Sequence, residues 1–223
     1  MPKPSSTYVP PAADDAAPAR RILAVVRERL FTYGYNALTM DVLAHELGMS
    51  KKTLYVHFPS KDAIIGAIID EIGTAIRTRM DVVLSDPKLT FTQKLCSLNE
   101  IVGSNLAKAS PGLLHDLQRF APALYQKIDE VRQRNVPYVF GHLIRAGIVE
   151  GMVRPEIDPD FAVEFWLQAM RGLTHPTVLD RTQLTPRQTL EKAIKLFFGG
   201  LLTAAGHRDY ENHLASCEKH PAS

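Results

Sequence analysis

Little in this sequence invites redox, metal or membrane chemistry. Cysteine is scarce: Cys96 and Cys217 are the two among 223 residues, far apart and without metal-ligand spacing. They are expected to be a reduced interior thiol and a free thiol near a loose tail. No stretch approaches the roughly 18 uninterrupted apolar residues of a membrane-spanning helix. The opening residues, with several prolines and the pair Asp14–Asp15, lack the apolar run of a secretory signal, so a cytoplasmic location is expected. His45-Glu46 starts a metalloprotease pattern that needs histidine at 49, where Met49 stands. A phosphate-cradling glycine-rich loop and a nucleophile elbow are both missing. Glu156, Asp158 and Asp160 fit a helix-capping turn better than a cation site. No enzymatic activity, no cofactor and no metal ion are expected. Alternating strand patterns and fixed-period repeats are absent as well, which leaves an all-α fold.

What is present is an ordinary globular chain, 45% apolar and 22% charged. Its net charge is only +2, but the distribution is uneven. Between Arg20 and Asp62, Arg20, Arg21, Arg27, Arg29, Lys51, Lys52 and Lys61 face only Glu28, Asp41, Glu46 and Asp62. Seven cations against four carboxylates put the excess at one end, where a polyanion would be met.

Residues 1–17 are rich in Pro, Ala and Ser and suggest a disordered tail. From Pro18, Ile22, Val26 and Leu30 recur at four-residue steps, widened by Leu23 and Phe31, predicting a helix over 18–33 that stops at Gly34. Thr39 is placed to cap a short second helix with Asp41 in its first turn. Gly48 ends it and Ser50 caps a brief third helix whose Leu54 and Phe58 point inward. Pro59 interrupts, and Ser60 caps a fourth helix running to about Val83. Further helices are predicted at 90–109, 111–120, 122–149, 159–175 and 185–205. Pro137 is expected to kink or break the longest. The residues from 208 to 223 suggest a frayed tail. Domain limits follow at 18–64 and 65–207.

The segment from Thr39 to Phe58 carries the chemistry. Two short helices joined through Gly48 must cross steeply, and the small Ala44 permits close approach. With Leu54 and Phe58 inward, Lys51, Lys52, Thr53, Tyr55 and His57 are left outward or flanking. These cations, hydroxyls and an imidazole suit phosphate oxygens and base edges in a major groove about 12 Å wide. The helix start at Ser50 adds attraction for phosphate.

These residues resemble the DNA-binding domain of TetR-family (tetracycline-repressor-like) regulators. The likeness covers about residues 18–64 and rests on Thr39, Ala44, Gly48, Ser50, Thr53, Leu54, Tyr55, His57, Phe58 and Lys61 at the family's spacing. Leu47, Lys52 and Asp62 depart from its commonest residues. The resemblance implies phosphate contacts from Thr39, Tyr55 and Lys61, with Lys51, Lys52, Thr53 and His57 facing the groove. It also implies a homodimer on double-stranded operator DNA, since a single head covers few base pairs. One face of 159–175 carries Phe161, Phe165, Ala169 and Gly172, and one face of 185–205 carries Leu190, Ile194, Phe197 and Leu201. Paired with a second copy, those faces would form a four-helix interface, and intramolecular core is the alternative. Between head and interface the resemblance implies an apolar pocket for a small-molecule effector. Phe120, Phe140, Leu143, Trp166 and Met170 are candidate lining, with His115 and Gln118 as polar anchors. Ordinary core packing is the bland alternative for each. The function expected is a repressor released from its operator by that effector. Activation instead of repression stays open, as does a helical carrier or adaptor using the head for protein contacts.

Overall fold

A computed structural model describes residues 16–219, apart from the side chains at 16, 111 and 214–219. The expected tail at 1–17 therefore lies almost wholly outside the described residues. The described chain is all-α and contains no strand, only an isolated bridge between Val153 and Leu202. Its helices are α1 (Ala16–Tyr33), α2 (Met40–Leu47), α3 (Lys51–His57), α4 (Lys61–Ser85), α5 (Phe91–Leu106) and α6 (Pro111–Phe120), followed by α7 (Pro122–Val149), α8 (Pro159–Leu173), α9 (Pro176–Thr182), α10 (Pro186–Leu201) and α11 (Ala204–Lys219). None of the described helices is long and apolar enough to cross a membrane.

The chain divides into two compact units. One comprises residues up to Ile72 together with Gly112–Ile128; the other comprises Gly73–Pro111 and the chain from Asp129 onward. The first unit thus includes α6 and the start of α7 as well as α1 to α3. Its core is aliphatic: Ile22, Val26 and Leu30 of α1 meet Leu43 and Leu47 of α2, Leu54 of α3, and Ile64, Ile65 and Ile68 of α4. Leu113, Leu117 and Leu124 join the same cluster. The periodic stripe of α1 is buried as its spacing requires. Local punctuation is also where the residue types put it. Gly34 and Gly48 adopt φ of +80° and +63°, a region costly for any residue with a Cβ.

The second unit packs around aromatic rings. Phe140 stacks on Trp166 with centroids 4.7 Å apart, Phe197 lies 5.1 Å from Trp166, and Phe198 meets Phe197 edge to face at 5.3 Å. Phe91 of α5 and Leu143 of α7 complete the centre.

Three features of this unit differ from the periodicity. The segment read as one helix over 159–175 ends at Leu173, and α9 follows it, opened by Pro176 and stopped by Gln183 at φ 54°. Pro137 does not end α7, which runs continuously from Pro122 to Val149. Buried Val139, Phe140, Leu143 and Ile144 hold the turns after the proline, and the Asn135 side-chain amide donates to the Gly73 carbonyl at 2.8 Å just before it. The tail expected to fray from 208 is helical as far as Lys219. Gly206 is there for space: a Cβ would lie 2.2 Å from the Met152 carbonyl oxygen. The chain breaks earlier, at Leu202, which is extended and pairs with Val153. α11 is then tethered by the Thr92 hydroxyl donating to the Asp209 carboxylate at 2.5 Å.

Candidate nucleic-acid interface

The geometry of α2 and α3 is set by three caps. The Thr39 hydroxyl oxygen accepts from the Val42 N–H at 3.2 Å, opening α2. Gly48 closes it, its N–H donating to the His45 carbonyl at 3.1 Å. Ser50 Oγ then accepts from the Thr53 N–H at 3.0 Å, opening α3. Ala44 is buried at the crossing and Leu54 seals the inner side of α3. The capping of α2 uses Thr39 only as an acceptor, so its O–H hydrogen can still donate to a phosphate.

On the outer side Lys51, Lys52, Thr53 and Tyr55 are exposed, Tyr55 at 50%. Their freedom differs. Lys51 forms an ion pair with Asp41 of α2, and that partner's hydrogen bond and charge raise the Lys51 pKa above its ordinary value. The Thr53 hydroxyl lies 2.8 Å from Ser50 Oγ. His57 is half-buried at the end of the helix. Most of the head's positive charge is tied down in the same way. Arg21 donates to the Leu47 carbonyl at 3.1 Å, Arg27 pairs with Glu71, and Arg29 pairs with Glu46. Of the seven basic residues between Arg20 and Asp62, only Lys52 has no partner among the described residues. The charge excess legible in the sequence is thus mostly structural, and Lys52 is the cation left for a ligand.

Lys61, expected at a phosphate, is braced within the head. Its ammonium donates to the carbonyls of Tyr35 at 3.3 Å and Leu38 at 3.1 Å and sits 3.8 Å from the Tyr35 ring centre. Only one of its three N–H groups remains for a phosphate. Tyr35 was not singled out by the helical period, lying in a loop. Its hydroxyl donates to Asp62 at 2.9 Å, and burial, followed by that carboxylate, pushes its pKa up to about 12. It fixes the start of α4 against the loop before α2. A second missed residue is Val56, 77% exposed on α3. Counting about 100° per residue from buried Leu54 would have found it.

The residues considered for dimer contact split between two fates. On α8, Phe161 is 70% and Phe165 57% exposed, with Gly172 exposed beside them. The face assigned on α10 must be corrected: Leu190, Ile194, Phe197 and Leu201 are all buried in the second unit's core. The outward residues of α10 are Gln188, Glu191, Lys192, Lys195, Leu196, Gly199 and Gly200, and added Cβ atoms on the two glycines would meet nothing within 4 Å. Ala169 is half-buried.

The seven residues considered for a ligand pocket also divide. Phe140, Leu143, Trp166 and Met170 belong to the aromatic core of the second unit. His115, Gln118 and Phe120 belong to the first, where His115 and Phe120 are exposed and Gln118 is half-buried. Within the second unit, Thr189 Oγ1 and Asn99 Oδ1 are buried without a hydrogen-bond partner among the described residues. Groups of His, Cys, Asp and Glu suited to a metal ion are not found among the described residues.

Two short capped helices crossing over a small residue, with the outer side of the second exposed and polar, define a helix-turn-helix DNA-binding regulator. Residues 22–68 match the family described as bacterial regulatory proteins, tetR family, so that segment is similar to the DNA-binding part of those regulators. An uncharacterized HTH-type transcriptional regulator of Bacillus subtilis, YvaF, is 22% identical over 82% of this chain and 94% of its own length. The nucleoid occlusion factor SlmA of Pectobacterium carotovorum is 32% identical over 45% of this chain, which spans about half of that factor, 52%. Among solved structures, the complex of SmeT, the repressor of a Stenotrophomonas maltophilia multidrug efflux pump, with triclosan superposes with a TM-score of 0.61. That match covers 84% of this chain and 93% of SmeT at 14% identity, and shows the shared fold.

Proposed function

We propose that this regulator is a cytoplasmic homodimeric repressor, held on an operator by two α3 helices and released by a small apolar ligand. The observation that carries the reading is the outer side of α3, where Lys52 has no partner among the described residues and Tyr55 stands half exposed beside it. A cation and a phenol on a rigid capped helix suit acceptors on base edges and phosphates.

Dimerisation is supported by large apolar side chains and glycines set among charged residues on the outer faces of α8 and α10. Phe161, Phe165 and Leu196 are large side chains left in water, and Gly172, Gly199 and Gly200 allow another backbone to come close. The effector is supported by the aromatic core of the second unit. Buried polar atoms are normally paired, so the unpartnered Thr189 Oγ1 and Asn99 Oδ1 are natural contacts for a ligand's polar group within an apolar surround. The triclosan complex of SmeT shows an apolar aromatic ligand accepted by a protein of this fold. α4 contributes Ile64, Ile65 and Ile68 to the first unit and Met80 to the second. A ligand favouring one setting of that helix would shift the population of DNA-competent dimers, and by linkage operator DNA must weaken the ligand equally.

The test is electrophoretic mobility on genomic fragments across a salt series. A dimer neutralising about 6–10 phosphates should lose roughly three to five orders of magnitude in affinity as salt rises fourfold. A sequence-selective complex with that slope is expected. No such complex at low salt would overturn the reading and favour a carrier or adaptor.

A further inference from the structure

Val56 is the most outward residue of α3. Leu54 is fully buried, and two residues further along a helix of about 100° per residue lies the opposite side. Val56 is 77% exposed there, although nothing in the helix calls for valine. α3 has only seven residues, and a β-branched side chain weakens an exposed helical position relative to Ala, Lys or Gln. Local preference and placement therefore disagree, which is where a functional demand is expected. The neighbours point to the ligand. Lys52 is one turn before Val56 and Thr53 three residues before it, so the three share one surface. That surface pairs an unpartnered ammonium with an isolated pair of methyl groups. In the major groove a donor matches purine N7, guanine O6 or thymine O4, and only thymine offers a methyl.

Resting on the DNA-binding reading above, we propose that Val56 is a specificity-determining residue that packs its methyl groups on the C5-methyl of a thymine in each half-site. Lys52 then donates to an acceptor on an adjacent base. The contact removes from water apolar surface on both partners without requiring any rearrangement of α3.

The experiment begins by selecting a duplex from a random-sequence library with the full-length protein. Each thymine of the selected duplex is then replaced singly by deoxyuridine, which removes only the methyl. Binding is measured for the unaltered protein and for Val56→Ala. One thymine per half-site is expected to lose about fourfold in affinity on demethylation, the scale of one buried methyl-sized group. Val56→Ala should weaken the thymine duplex by a similar factor and bind its thymine and deoxyuridine forms equally at that position. Its melting temperature should match or slightly exceed that of the unaltered protein, since the side chain is in water and alanine suits an exposed helical position better. An unchanged deoxyuridine profile in Val56→Ala overturns the proposal, as does a selected duplex with no methyl-sensitive thymine. A selection that enriches no sequence defeats the DNA-binding reading itself and this inference with it.

Discussion

The two units solve different packing problems. The first fills its core mostly with Ile, Leu and Val around Phe58 and Tyr35, and closes short helices with side-chain caps at Thr39, Ser50 and Ser60. The second is built on Phe91, Phe140, Trp166, Phe197 and Phe198. Each unit holds two buried side-chain polar atoms without a hydrogen-bond partner among the described residues: Arg27 Nε and Glu46 Oε2 of ion-paired side chains in the first, Asn99 Oδ1 and Thr189 Oγ1 in the second. Interlocked aliphatic side chains of fixed rotamer hold a surface in one shape. Flat rings can rearrange around a guest, and unpaired polar atoms give that guest something to bond. On the proposed function, a head that matches a duplex and a body that admits a ligand call for those two kinds of core.

The sharpest way to break this comparison is Phe58→Ala. Phe58 is fully buried immediately after α3, and losing the ring should cost about 3–5 kcal/mol. Amide exchange is expected to lose protection across α1 to α3 while the amides of Phe140 and Trp166 keep theirs. Equal loss in both units would mean that they unfold together and that the contrast between their cores has no energetic counterpart.

Tyr35 sharpens the same contrast by pH. Its phenol is neutral in the fold up to about pH 12, whereas in the unfolded chain it ionises near the ordinary 10.0. A raised pKa means stability that is complete below pH 10 and lost as pH climbs toward 12, about 2–3 kcal/mol for such a shift. Denaturant titrations between those limits should show that extra slope in the unaltered protein and not in Tyr35→Phe. Equal slopes would show that the Tyr35–Asp62 bond does not anchor the start of α4.

A smaller effect is expected at the second unit's tightest contact. In Gly206→Ala the new methyl would press on the Met152 carbonyl, and either the backbone or α11 must move. The cost should be about 1–3 kcal/mol, read as a lowered melting temperature. An unchanged melt would mean that α11 rides loosely on the rest.

Much of the head was legible because its signals are local. Thr39, Gly48 and Ser50 each act within four residues, and the stripe Ile22, Val26, Leu30 has one apolar side only. The second unit offered no such asymmetry. On α10 both Phe197 and Leu196 are apolar neighbours, one 8% and the other 82% exposed, and periodicity finds stripes without saying which faces the interior. α9 is a single short helix after a proline, too brief for a periodic pattern, and Gly206 serves a close approach to Met152 that is distant in sequence. At the interface the residue types were legible but their partners were not. That Lys61 and most arginines serve the head's own structure depends on carbonyls and carboxylates distant in sequence, from Tyr35 and Leu38 to Glu71.

The mildest prediction concerns the ion pair between Asp41 and Lys51. Both side chains are more than half exposed, so the pair adds little to folding, and Asp41→Asn should melt like the unaltered protein. Its effect on DNA should be larger than its effect on the fold. The substitution removes a carboxylate from the surface proposed to meet phosphates and releases the Lys51 ammonium from its partner. Affinity for any duplex should rise a few-fold at low salt, and the logarithmic salt slope should steepen by about one, the signature of one further phosphate contact. Discrimination between sequences should not improve, because neither change adds a base contact. A fall in affinity would show instead that Asp41 holds Lys51 where the duplex needs it. The aliphatic head would then set its charges as firmly as its helices.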